Sequence, residues 1–158
     1  MKWTDFIFSG LLIWLTQLLL VDLLSIGTIR PDLLVILVLY WSIKYGRTIG
    51  IIAGFLIGLL IDFSGTASYF GLSPLIYSVT GYLGGYLKGT YSRVNPIYFS
   101  ISWVAILIFQ FLIYCVVQYQ DILMTNPQLF WAKWLGTTIY TLSFAGILQV
   151  IYPLNKIN

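Results

Sequence analysis

The side chains able to do acid–base, nucleophilic or metal chemistry are few. There are five aspartates (Asp5, Asp22, Asp32, Asp62 and Asp121), no glutamate, no histidine and one cysteine, Cys115. No two aspartates stand at helical spacing within one segment, so no carboxylate pair exists to divide the work of general acid and general base. Without histidine there is no Ser–His or Cys–His nucleophile. The scattered carboxylates form no metal set, and no glycine-rich phosphate loop is present. The pattern argues against an enzyme and implies no cofactor. Cys115 lies in an apolar run, cannot form an internal disulfide, and reads as a small buried hydrophobe.

Four charges do stand at the ends of apolar runs: Asp22, Arg30, Asp32 and Asp62. Asp62 is the odd one. A carboxylate at the C-terminal end of a helix opposes the helix dipole, so it calls for a donor. Arg30 is the basic residue close by in sequence, and a structural ion pair is the plainest expectation. A contact to a partner or ligand, or exposure to headgroup water, are the alternatives.

The elements that must position these charges follow from composition. Of 158 residues, 59% are hydrophobic and 8% charged, against about 25% charged in a soluble domain. Such a supply cannot cover a soluble surface, so the chain is expected to be an integral membrane protein. The net charge of +3 comes from basic residues scattered singly, which speaks for membrane topology and not for nucleic acid. No linker or low-complexity tract divides the chain, so a single transmembrane domain over 1–158 is expected.

Six spans are expected, at about 6–24, 31–45, 48–63, 74–88, 96–120 and 127–152. The first is longer than the apolar core of a signal peptide, about 7–15 residues, and reads as a retained helix. Pro31, Pro74, Pro96 and Pro127 each suit the first helical position, where a missing N–H costs nothing. Asp32 favours a helix N-terminus, Lys44 a C-terminus, and Gly46 a C-terminal cap. The second, third and fourth spans are short for a core of about 30 Å, so they pack inside the bundle or extend into their flanks. A re-entrant hairpin of the second and third would put Lys44 and Arg47 inside the bilayer.

Six spans place both termini on one side, with Lys2, Lys44, Arg47, Lys88, Arg93 and Lys156, and leave Arg30 and Lys133 on the other. This bias makes the first side cytoplasmic. The four charges above then form an outer-face polar cluster.

Glycine recurs every fourth residue at Gly50, Gly54 and Gly58, and again at Gly81, Gly85 and Gly89, with Gly84 beside them. A glycine in a helix interior costs about 1 kcal/mol relative to alanine. In lipid, helices associate through close packing, and small residues permit it. Gly50, Gly54, Gly58, Gly81, Gly84 and Gly85 are therefore the expected helix-packing residues. Their partner is open: the two rows need not face each other, and another helix of this chain or of a second protein would serve.

The stretch from Arg30 to Gly89 resembles the MreD family of rod-shape-determining bacterial membrane proteins. The likeness lies in Arg30-Pro31-Asp32 before an apolar helix, the row Gly50/Gly54/Gly58, Asp62 followed by Gly65, Gly71, and Gly81-Tyr82-Leu83-Gly84. The resemblance implies an inner-membrane scaffold of the cell-elongation complex. It would bind a bitopic MreC-like protein and act with MreB filaments, the RodA polymerase and a penicillin-binding transpeptidase. It also implies an all-α fold similar to the substrate-binding subunits of energy-coupling-factor vitamin transporters. That similarity supplies an alternative function, for which Asp22, Arg30, Asp32, Asp62, Ser64, Thr66, Ser68 and Ser73 offer polar groups on the outer half.

Overall fold

A computed structural model of the chain describes residue 15 and residues 31–64, 69–90 and 95–151. The expected first span, with Asp22, and the neighbouring Arg30 lie outside the described residues, apart from Leu15, which is helical. Among the described residues there are six helices and no strand: α1 (Leu33–Tyr45), α2 (Arg47–Phe63), α3 (Leu72–Gly85), α4 (Pro96–Gln118), α5 (Gln120–Thr125) and α6 (Pro127–Ile151).

Helix α1 is the centre of the bundle. Leu34 to Leu39 are buried in unbroken succession, followed by Trp41, Ser42 and Ile43. A helix apolar on every side belongs in the interior of a bundle, and its length of about 20 Å at 1.5 Å per residue suits a core element. Its start differs from expectation. Asp32 is the N-cap, its carboxylate accepting from the Val35 amide at 3.1 Å, so Pro31 falls just before the helix. Gly46 joins α1 to α2 with φ +96°, and a Cβ there would stand 3.2 Å from Lys88 Cδ. The backbone angle calls for glycine, whereas the Lys88 stem is flexible and could give way.

Helix α3 also begins differently. Gly71 is its N-cap, in the left-handed region at φ +94°. Ser73 and Pro74 therefore lie inside the first turn instead of forming cap and first position. Proline is tolerated there because the first N–H groups of a helix have no internal acceptor. The helix ends at Gly85, short of Lys88, and the chain continues through turns to Thr90. Helix α4 opens as expected: Pro96 lies in its first turn and Asn95 accepts from the Ile97 amide at 3.1 Å. It stops at Gln118 because Tyr119 leaves helical geometry. The six-residue α5 then fills part of the connection, a helix the apolar pattern did not foretell. Asn126, held extended by the proline that follows it, separates α5 from α6 and caps α6 through the Leu129 amide at 3.3 Å.

Helices α2 and α3 pack along their lengths, α1 lies against both, and α4 and α6 complete the described bundle. Two contacts fix which ends lie together. Gln120 Nε2 donates to the Tyr69 hydroxyl at 2.6 Å, joining the start of α5 to the α2–α3 connection. At the opposite end Lys88 Nζ donates to the Tyr45 carbonyl at 3.1 Å.

Large apolar side chains face outward. Ile52, Leu56, Ile101 and Ile139 are more than half exposed. The chain thus keeps an apolar exterior that only lipid or protein can cover, as a membrane protein does. Helix α4, with 23 residues and mean hydropathy 2.3, is long and apolar enough to cross a membrane.

Candidate functional site

The glycines of α2 face α3 backbone to backbone. A Cβ on Gly50 would lie 2.5 Å from the Gly81 carbonyl oxygen and 2.6 Å from Ser42 Cβ. On Gly54 it would lie 2.6 Å from the Tyr77 carbonyl carbon, and on Gly58 2.6 Å from that of Ser73. Gly81 meets Gly50 reciprocally, and a Cβ on Gly85 would lie 2.5 Å from the Arg47 nitrogen. The two rows therefore meet each other directly at Gly50 and Gly81, the other glycines admit the facing backbone, and the partner left open by the sequence is a helix of the same chain. Gly84 points elsewhere: its neighbours are Leu39 and the Ser42 hydroxyl of α1.

Ser42 was not foreseen. It is fully buried where α1, α2 and α3 converge, and its hydroxyl returns to its own helix at Leu39 O, 2.7 Å away. The signal in the sequence was one small residue inside an otherwise bulky apolar helix.

Asp62 stands four residues beyond Gly58 and so ends the same row. Its Oδ2 accepts from the Gly71 amide at 2.5 Å. The carboxylate that opposes the dipole of its own helix thus sits at the N-terminus of the next, where negative charge is favoured. One donor to Asp62 is thus a backbone amide, and the expected ion pair with Arg30 lies outside the described residues. Asp62 is 7% exposed, and its Oδ1 and the buried Ser73 hydroxyl have no hydrogen-bond partner.

Asp32 makes a second polar junction. One carboxylate oxygen caps α1 through Val35, the other accepts from the Tyr77 hydroxyl of α3, and the Asp32 amide donates to Thr141 Oγ1 of α6 at 3.1 Å. Tyr77 and Thr141 are both buried. One residue thereby ties three helices together. A third buried link joins α3 to α4, where Thr80 Oγ1 donates to Gln110 Oε1 at 2.8 Å. Gln110 was visible as the one amide within a long apolar run, since polar groups at such depth need a partner.

Of the expected outer-face residues, Asp32 and Asp62 both grip α3, one through a side chain and one through the backbone. These groups set helix positions, and none has the geometry of an acid–base pair. The seam and both aspartates fall within the stretch matched by a family model described as rod shape-determining protein MreD, which covers residues 2–95. The chain belongs to the MreD family. Its members are structural, shape-determining membrane proteins and not a known enzyme family. No curated protein and no solved structure matches the chain. Helices α4 to α6 lie beyond the MreD match, yet Gln110 and Thr141 bind them to the part within it.

Proposed function

We propose that the chain is a membrane scaffold subunit of the bacterial cell-elongation complex. It binds a bitopic MreC-like protein and, through it, is coupled to MreB filaments, RodA and a penicillin-binding transpeptidase. In this reading it is one domain of six spans in the inner membrane, with both termini cytoplasmic. The observation that carries the proposal is the MreD match over residues 2–95.

The packing narrows where a partner helix would dock. Gly50, Gly54, Gly58, Gly81 and Gly85 are filled by neighbours within the chain, so a partner's helix meets an outward face instead of the seam. The role of the seam and of Asp32 and Asp62 is to hold that face rigid. The vitamin-transporter alternative has no observation in its favour, and the likeness to those subunits plays no part in the reading.

The test is co-reconstitution in nanodiscs of this chain with the single transmembrane helix of the candidate partner, read by energy transfer between labels. Saturable binding supports the scaffold. Absence of binding, with a vitamin recovered from the purified chain, overturns it.

A further inference from the structure

We propose that the end of the bundle carrying Lys44, Arg47 and Lys88 holds an anionic phospholipid, its phosphate on Arg47 and Lys88 and one acyl chain in the groove between α3 and α4. The proposal needs only that the chain is embedded in a membrane, and stands apart from the partner proposed above.

The charges come first. Lys44, Arg47 and Lys88 are exposed, and among the described residues no carboxylate shares their end. Asp32, Asp62 and Asp121 all stand at the other. Two of the cations are held in place. The Arg47 guanidinium lies over the Tyr86 ring, 4.5 Å from its centre, a favourable placement for a cation on an aromatic face. The stem of Arg47 lies against Gly85, and Lys88 is anchored on the Tyr45 carbonyl at 3.1 Å. Both side chains are therefore held beside the Gly46 turn, with no carboxylate among the described residues to neutralise them.

The second observation is independent of charge. A shallow apolar groove runs between α3 and α4, walled by Leu75, Val79 and Leu83 on one side and by Ile106, Phe109 and Ile113 on the other. Leu75, Val79, Tyr82 and Tyr86 are spaced by four, three and four residues and so form one stripe along α3, all of it exposed. That stripe leads from the groove past the Tyr82 and Tyr86 hydroxyls, 2.6 Å apart, to the ring on which Arg47 lies. A soluble anion would use the cations alone. A molecule with a phosphate and a hydrocarbon chain uses the cations, the hydroxyls and the groove together. Attraction of this kind amounts to about 1 kcal/mol per basic residue near the surface, which is about fivefold in affinity.

The test uses the full chain in neutral detergent, with phosphatidylglycerol, phosphatidylcholine or soluble glycerol phosphate added and binding read by native mass spectrometry. Phosphatidylglycerol is expected to bind more tightly than phosphatidylcholine, and the preference to shrink about fivefold in each of Arg47→Gln and Lys88→Gln. Lys133→Gln, at the opposite end, should leave it unchanged. Val79→Trp should weaken the lipid while sparing any binding of glycerol phosphate. For the unaltered chain, raising salt should erode the preference, which keeps the test decisive if a variant fails to fold. Equal binding of the two lipids, or a preference that survives both substitutions, overturns the proposal. Glycerol phosphate binding as tightly as the whole lipid reduces the site to one for free phosphate and overturns the acyl groove.

Discussion

Replacing Gly54 with alanine adds one methyl group where α2 and α3 touch. The added carbon would stand 2.6 Å from the Tyr77 carbonyl carbon and 2.9 Å from the Ser78 nitrogen, whereas ordinary contact begins at 3.4 Å. The Tyr77 carbonyl oxygen stands nearer still, so the helices must part by about 1 Å at that level. The obstacle is backbone, so no rotamer change can absorb the methyl. Overpacking of this kind costs about 1–3 kcal/mol, against a gain of up to about 1 kcal/mol from the better helix propensity of alanine. Gly146 in α6 provides the control, since a Cβ there meets nothing within 4 Å. Gly146→Ala should therefore be neutral or stabilising. The assay is reversible unfolding in mixed micelles, followed by circular dichroism. If Gly54→Ala and Gly146→Ala unfold alike, the close approach of α2 and α3 is not a source of stability and the reasoning fails.

Asp62→Asn keeps an acceptor for the Gly71 amide and should be mild, whereas Asp62→Ala removes that hydrogen bond at the mouth of α3 and should cost about 1–3 kcal/mol in the same unfolding assay. Thr80→Val should destabilise by orphaning the buried Gln110 Oε1, and Gln110→Leu should cost less because the Thr80 hydroxyl keeps the Ile76 carbonyl as an acceptor at 3.0 Å; the double variant should cost less than the sum, and strict additivity would show that the 2.8 Å bond carries no coupling. Tyr77→Phe should cost a similar 1–3 kcal/mol by removing the donor to Asp32, and an unchanged melting temperature would refute the three-helix junction. Reporter fusions after Lys88 and at the C-terminus should both score as cytoplasmic, and an external score at either point breaks the six-span topology.

The parts of this architecture legible in the sequence are those whose cause is local. Asn95-Pro96 and Asn126-Pro127 place helix starts because a cap and a missing N–H act within one turn. The glycine rows announced close packing because a four-residue spacing puts them on one face. What lies between elements was not legible. Gly71, and not Ser73, caps α3 because the Gly71 amide is held by Asp62, nine residues away. The pairing of Asp32 with Tyr77 and Thr141 spans 45 and 109 residues, and no periodicity records such distances. The break at Tyr119 was legible in part, since Gln118, Gln120 and Asp121 end the apolar run, but nothing in that polar stretch announced the short helix that follows.

The answer to Asp62 also explains how a glycine seam keeps its register. A row of glycines repeating every four residues is nearly smooth, and a slide of one repeat, about 6 Å at 1.5 Å per residue, brings glycine opposite glycine again. Packing alone therefore distinguishes poorly between neighbouring registers. The row on α2 ends in a carboxylate that has a single suitable place, the amide of Gly71 at the mouth of α3. At the far end Arg47 abuts Gly85, where any larger residue would collide with its backbone. A slide of one repeat would carry Asp62 away from the amide and leave a buried carboxylate unpaired, a penalty far larger than the difference in packing. The expense of a carboxylate in so apolar a chain is offset by the single alignment it imposes, and a rigid, single alignment is what a subunit needs if its outward face is to be read by a partner.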